Sequence, residues 1–304
     1  MTGLDVVVAG SHGLIGSAVV EHLAQRGHRV RRLVRGRPGS TREIGWDPGR
    51  GTLDPEDLRT ADVVVNLGGA GLAEHRWTAE YRETILRSRT GPTALLARTL
   101  AGLGDRPRVL LQGSAIGYYG DRGDEILTEA SAPGDDFLAG VVRAWEAATL
   151  PAEEAGVRVV HLRTGIVMSH QGGSFGRLLP LLRLGVGGPL GDGSAVWSWI
   201  TLADQVRAIE HLLGAAVSGP VNLTAPAPAR SGEIIGAVAR ALHRPAVVRV
   251  PRFALRAVLG EFADEGVLAS QRALPTVLVA SGFEHTHATL ESAAGWLAGG
   301  PART

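Results

Sequence analysis

The sequence contains no cysteine. That excludes disulfides, zinc–thiolate sites, iron–sulfur clusters and cysteine nucleophiles. It contains no lysine either, so all 31 basic residues are arginine. Schiff-base chemistry on lysine and a Walker A phosphate loop are thereby excluded. Charge of one sign is not in excess. The 31 basic and 30 acidic residues leave a net charge of +1, no footprint for nucleic acid or an anionic membrane. No apolar run approaches the roughly 18 residues of a membrane span. The start of the chain shows no basic stretch ahead of a long apolar one, so no secretory signal is expected and a cytoplasmic location is. No metal-ligand spacing stands out.

What is present is an ordinary globular composition. The 304 residues are 44% apolar and 20% charged, enough for one large domain or two small ones around a sizeable core. Strand and helix signals alternate through the first half. Short apolar runs at Asp5–Ala9, Arg29–Val34, Asp62–Asn66, Arg108–Gln112 and Val157–Leu162 read as strands. Helical patterns fill Leu14–Arg26, Thr78–Leu103 and Asp136–Ala155 between them. This alternation predicts an α/β fold, a Rossmann-type doubly wound parallel sheet.

Past about residue 165 the pattern changes to a stretch punctuated by glycine and proline. A strand at Val221–Leu223, a helix at Ser231–Leu242 and a strand at Ala246–Val250 are expected there. Residues 1–165 then form a nucleotide-binding domain whose sheet later segments complete, up to about residue 225. Residues 166–298 form a smaller, loop-rich C-terminal substrate lobe, including a small terminal domain from about residue 248. The tail Gly299–Thr304 reads as a frayed end.

Gly10-Ser11-His12-Gly13-Leu14-Ile15-Gly16 follows the first strand and opens the first helix. Glycines at this spacing turn tightly, let backbone approach a pyrophosphate, and let helix pack on strand. The helix N-terminus adds N–H groups and a partial positive charge for phosphate. The βαβ context turns a weak motif into a dinucleotide site. An NAD site usually carries an acid at the end of the second strand, for the ribose 2′-hydroxyl. No acid occurs here between Glu21 and Glu43, and Arg35 stands where a 2′-phosphate would lie. Arginine suits phosphate, so NADP(H) is the expected cofactor. The alternative for Arg35 is a solvated basic turn.

Asn66-Leu67-Gly68-Gly69 and Ser88-Arg89-Thr90, taken with the glycine loop, resemble extended-type short-chain dehydrogenases/reductases. Gly117-Tyr118-Tyr119-Gly120, Trp145-Glu146-Ala147-Ala148, Arg163-Thr164-Gly165-Ile166-Val167 and Gly187-Gly188-Pro189-Leu190-Gly191 narrow the resemblance. So do Trp199-Ile200 ahead of Asp204, and the later blocks Gly260-Glu261, Gln271, Pro275 and Gly282-Phe283. They are similar to the atypical, nucleoside-diphosphate-sugar epimerase-like subgroup of NAD(P)-dependent epimerase/dehydratase-like proteins. The resemblance implies that Gly10, Gly13, Leu14, Ile15 and Gly16 line the pyrophosphate. It puts Val34 and Arg35 at the adenosine ribose and its phosphate, and Leu67 and Gly68 beside adenine. Arg89 would contact the cofactor and Val167 would lie beside the nicotinamide. The superfamily's Tyr-x-x-x-Lys pair is missing: the matching helix, Asp136–Val142, has neither residue.

Three residues remain as candidates for chemistry. Ser114 follows the fourth strand, at the sheet edge where ligands bind, and could hydrogen-bond a substrate oxygen; its alternative is a strand-end cap. Tyr118 and Tyr119 come next, two of only three tyrosines. Either could protonate a substrate while the other packs. With no lysine to lower a tyrosine pKa from about 10, phenolate is scarce at neutral pH, which favours reduction over oxidation. Of Trp197 and Trp199, one is expected in the core and one on a pocket wall. His161 reads as a core histidine, and His285 and His287 as surface residues.

The expected activity is an NADP(H)-dependent oxidoreductase, or epimerase-like enzyme, acting on a small molecule. A redox sensor that binds NADP(H) without turnover is the alternative. A small-molecule substrate is the expected partner, a homodimer is left open, and neither nucleic acid nor membrane is expected.

Overall fold

The computed structural model describes residues 3–104 and 109–300. Its strands are β1 (Asp5–Ala9), β2 (Arg29–Arg35), β3 (Glu43–Trp46), β4 (Val63–Asn66), β5 (Val109–Ala115) and β6 (Ile126–Leu127). There follow β7 (Arg158–Thr164), β8 (Ile166–Met168), β9 (Val196–Trp197), β10 (Trp199–Thr201), β11 (Gly219–Leu223), β12 (Ala229–Arg230) and β13 (Arg272–Ala273). Its helices are α1 (Leu14–Gln25), α2 (Ala79–Gly102), α3 (Phe137–Ala147), α4 (Leu150–Glu154), α5 (Gly173–Arg183), α6 (Leu202–Gly214), α7 (Ser231–Ala241), α8 (Arg252–Leu259), α9 (Thr276–Ala280) and α10 (Leu290–Gly299).

Seven strands form one parallel sheet in the order β11-β7-β5-β4-β1-β2-β3. This is the expected doubly wound α/β fold. Val6 pairs in register with Val30 on one side and Val63 on the other. Side chains alternate across the sheet, and the burial follows. Val6 and Val8 pack with Val19 and Leu23 of α1 and Ile209 of α6. Val7 and Ala9 pack on the other face with Leu96 and Leu100 of α2. Each fully buried valine contributes roughly 1.5–3 kcal/mol, which is why apolar residues occupy both faces of β1. Chain order reverses between β1 and β4, and the glycine loop opens at that switch point.

The remaining strands are short pairs, β8 with β10, β9 with β12, and β6 with β13. They carry α5, α7 and α10, whose Phe175, Leu179, Ile234, Val238 and Leu297 form a second core around Trp199.

Several boundaries differ from expectation, each for a local reason. β3 was not anticipated, because Glu-Ile-Gly-Trp has no apolar run; it exists by pairing with β2. The helix expected over Asp136–Ala155 is two, α3 and α4. Pro151 in the first turn of α4 has no N–H to continue the ladder. The strand expected at Ala246–Val250 does not form. Only Val250 makes a bridge, to Leu190, and Val247 and Val248 are exposed between Pro245 and Pro251. β5 runs on to Ala115, while its expected first residue, Arg108, lies outside the described residues, as do the tail residues Pro301–Thr304. No helix among the described residues is long and apolar enough to cross a membrane.

Candidate functional site

The glycine loop is held by close approaches. Gly10 adopts φ +76°, and a Cβ there would lie 2.7 Å from the Gly68 nitrogen and the Leu67 carbonyl carbon. A Cβ on Gly16 would lie 2.1 Å from the Gly10 oxygen. Gly13 is the N-cap of α1, donating its N–H to the Gly10 oxygen at 3.1 Å. No side chain caps this helix end. The first-turn N–H groups of Leu14, Ile15 and Gly16 have no partner inside the helix, the arrangement that receives a phosphate. Val34 and Arg35 end β2, and exposed Arg35 shares a surface cleft with Trp46, Arg87 and Ser88. The residues thus fit a dinucleotide: a cradle that any Cβ would fill, free N–H groups, and a cation beyond β2.

A cavity of about 280 Å³ opens over the C-terminal ends of β5 and β7, lined mainly by Ala115, Leu138, Val142, Trp145, Val167, Trp197 and Phe262. It adjoins the glycine loop: a Cβ on Gly172 or Gly173 would touch the Leu14 side chain at 3.5 or 3.3 Å. Trp197 lines this cavity while Trp199 is fully buried in the core. Among the described residues, two ionisable ones line the cavity, Arg89 and Glu265.

Arg89 projects from α2 and donates to the Ile85 and Ala70 carbonyls, both at 3.0 Å. Its guanidinium lies 5.3 Å from the Trp145 ring centroid and against Gly69, where a Cβ would be 3.1 Å from Cζ. Burial lowers its pKa to about 10. No carboxylate among the described residues pairs with it. It is a half-buried cation on the cavity wall, which favours an electron-rich ligand.

Ser114, Tyr118 and Tyr119, the three candidates for chemistry, are not among the residues that line the cavity. Successive strand residues face opposite sides. Ala115 therefore faces the cavity, and Ser114 turns away to donate to Glu146 Oε1 at 2.6 Å. Glu146 also receives Arg163 Nε and Nη2 at 2.8 and 2.9 Å. The Arg163 guanidinium lies 3.5 Å from the Tyr118 ring centroid and donates to the Tyr119 hydroxyl at 3.2 Å. Fully buried Tyr119 donates in turn to Asn222 Oδ1 at 2.7 Å. Burial raises the Tyr119 pKa against the opposing pull of Arg163. Burial also works to raise Glu146, but the Arg163 hydrogen bonds and charge win and hold it below the usual carboxylate range. This is a polar block packed behind the site.

His161 is buried and hydrogen-bonds Thr149 Oγ1 at 3.0 Å. His285 and His287 are half-buried, not surface residues; His285 Nε2 meets the Thr224 carbonyl at 2.9 Å.

Glu265, another lining residue, carries no signal in the sequence. It sits in a π-helical turn, Ala263–Val267, just after α8. Its Oε2 accepts the Leu138 N–H at 2.9 Å, at the start of α3. Burial raises its pKa, with Asp136 adding to the rise and Arg82 opposing it. Nothing in the sequence separates it from its neighbour Asp264, which pairs with Arg256 on the surface.

Comparison with known proteins gives two family matches. The model of the NAD dependent epimerase/dehydratase family matches residues 6–224, and that of a domain of unknown function (DUF1731) matches residues 250–297. An epimerase family protein of Mycobacterium bovis is 42% identical over 97% of this chain and 98% of its own. The mouse epimerase family protein SDR39U1 is 35% identical over 95% of this chain and 98% of its own. A crystal structure of human epimerase family protein SDR39U1 with NADPH superposes with TM-score 0.88. It is 30% identical, covering 97% of this chain and 99% of that one.

Proposed function

Since this chain belongs to the NAD dependent epimerase/dehydratase family, we propose that it is an NADP(H)-dependent oxidoreductase that reduces a small, largely apolar molecule. The observation that carries the reading is the join between two features. The glycine cradle and the apolar cavity share a wall where Leu14 meets Gly172 and Gly173. A dinucleotide seated on the cradle would reach the cavity with its nicotinamide end.

In this reading Gly10, Gly13, Leu14, Ile15 and Gly16 receive the pyrophosphate, and Leu67 and Gly68 pass the adenine. Val34 and Arg35 meet the ribose and its 2′-phosphate. Arg89 holds the nicotinamide half from α2, and Val167 supports the ring. The human relative's structure with NADPH supports the choice of cofactor. When bound, the cofactor supplies a hydride. The chain's own part is to orient the substrate between Trp145, Trp197 and Phe262 and to keep water out. Calorimetric titration with NADPH and NADH tests the reading; equal affinities, or no binding, would overturn it.

One observation favours a second reading, an NADP(H)-responsive sensor. The cavity wall presents Ala115, Leu138, Val141 and Val142, without hydroxyl or amine, along β5 and α3. A sensor would bind NADPH and turn over no carbonyl or activated alkene.

A further inference from the structure

We propose that Glu265 is the proton donor of the cavity, so that the C-terminal segment contributes a catalytic residue as well as a wall. The inference rests on the oxidoreductase reading above and completes it. Reducing a carbonyl needs a proton at oxygen as well as a hydride at carbon. Two of the hydroxyls expected to give that proton are engaged elsewhere, Ser114 with Glu146 and Tyr119 between Arg163 and Asn222, and Tyr118 is not among the cavity's lining residues. Of the two ionisable groups on the cavity wall, Arg89 keeps its proton at working pH even at a pKa of about 10. Glu265 is the other ionisable group, and its proton can leave. The wall hydroxyls of Thr164, Ser174 and Ser198 are far weaker acids than a carboxyl, and those of Thr164 and Ser198 already donate to backbone carbonyls.

The surroundings place the carboxyl for this use. Gly266 lets the Phe262 ring lie across the turn, since a Cβ there would be 2.1 Å from that ring. The ring and the turn close the cavity beside Leu138. The Leu138 N–H fixes one carboxyl oxygen. Burial and Asp136 favour the protonated form; the α3 backbone N–H groups and Arg82 favour the ionised one. Arg82 is itself paired with Glu261, and Asp264 with Arg256, which turns those charges away from the cavity. Arg89 is the remaining charge on the cavity wall.

The carbonyl carbon gains the hydride, whose two electrons come from NADPH, leaving NADP⁺. The carbonyl π pair goes to oxygen, which takes the proton from Glu265 to give an alcohol. The carboxylate left behind regains its proton from water.

The test compares the unmodified protein with Glu265→Gln and Glu265→Asp. NADPH is the reductant, and apolar aldehydes and ketones are the substrates, with benzaldehyde first. Glutamine keeps an oxygen for the Leu138 N–H but has no proton to give. A general acid is worth roughly a hundredfold or more in rate. The expected result is a fall in kcat of that size in the glutamine variant, KM and NADPH affinity within twofold, and partial recovery in the aspartate variant. Activity of the unmodified protein should fall with rising pH along a limb that the glutamine variant lacks. Infrared difference spectra of the protein without substrate should show a protonated-carboxyl band that titrates with pH and is absent from Glu265→Gln. Equal turnover by the glutamine variant would overturn the proton-donor role and leave the oxidoreductase reading standing. NADPH binding by the unmodified protein with no carbonyl reduced would overturn both.

Discussion

Arg163 grips both oxygens of Glu146, Nε at 2.8 Å and Nη2 at 2.9 Å, with the two side chains almost fully buried. The pair ties β7 to α3 immediately behind the cavity wall. Removing one partner leaves the other charge buried and alone. Glu146→Ala should therefore destabilise the fold by about 3–5 kcal/mol. The denaturant midpoint measures it, and a change below about 1 kcal/mol would show that the site rehydrates.

The same carboxyl gives a pH dependence. Its folded pKa lies below its ordinary unfolded value of about 4.3. Its stabilisation is thus fully present above that unfolded value and is lost as pH falls through the lower folded one. Unfolding midpoints across the acid range should fall less steeply in Glu146→Gln than in the unmodified protein.

Tyr119→Phe removes the donor to Asn222 and the acceptor for Arg163 in the core. A loss of about 1–3 kcal/mol is expected, because buried partners are left unsatisfied. Turnover at a temperature where the variant stays folded should be unchanged, also in combination with Tyr118→Phe. Selective loss of kcat in either variant would return the tyrosines to the reaction.

Arg35→Ala should erase most of a preference for NADPH over NADH. A charge-assisted pair with the 2′-phosphate is worth about 1.5–3 kcal/mol, or roughly ten- to a hundredfold in affinity. NADH binding should be unaffected. A preference that survives the substitution would move the phosphate contact elsewhere, Arg87 in the same cleft being the first place to look.

Arg89→Ala should weaken NADP(H) binding in calorimetry, with the benzaldehyde KM changing less. Turnover lost at unchanged cofactor affinity would place Arg89 on the substrate instead.

The glycine loop, the alternation of strands and helices and the place of Arg35 at the end of β2 are legible in the sequence because they are local. A positive φ at Gly10, the apolar run of β1 and the helix start at Leu14 are each decided within a few residues. The breaks at Pro151 and Pro245 were equally local signals, and the helix and strand drawn across or beside them failed on proline's missing N–H or on the lack of a pairing partner. β3 was invisible because it owes its conformation to β2.

The chemistry of the site belongs to the tertiary structure. Ser114 and Ala115 are adjacent in the chain, and only the placing of β5 between β4 and β7 decides which of them faces the cavity. Tyr119 looked available beside a sheet edge, yet its hydroxyl is spent on Asn222, 103 positions away. Glu265 looked like any acid in a polar turn, yet packing delivers it to the Leu138 N–H, 127 positions away. Short-range periodicity and glycine sterics act along the chain and can be read from it. The side a residue faces, the burial of its proton and the company its charge keeps are set by long-range packing, and these decide what a side chain can do.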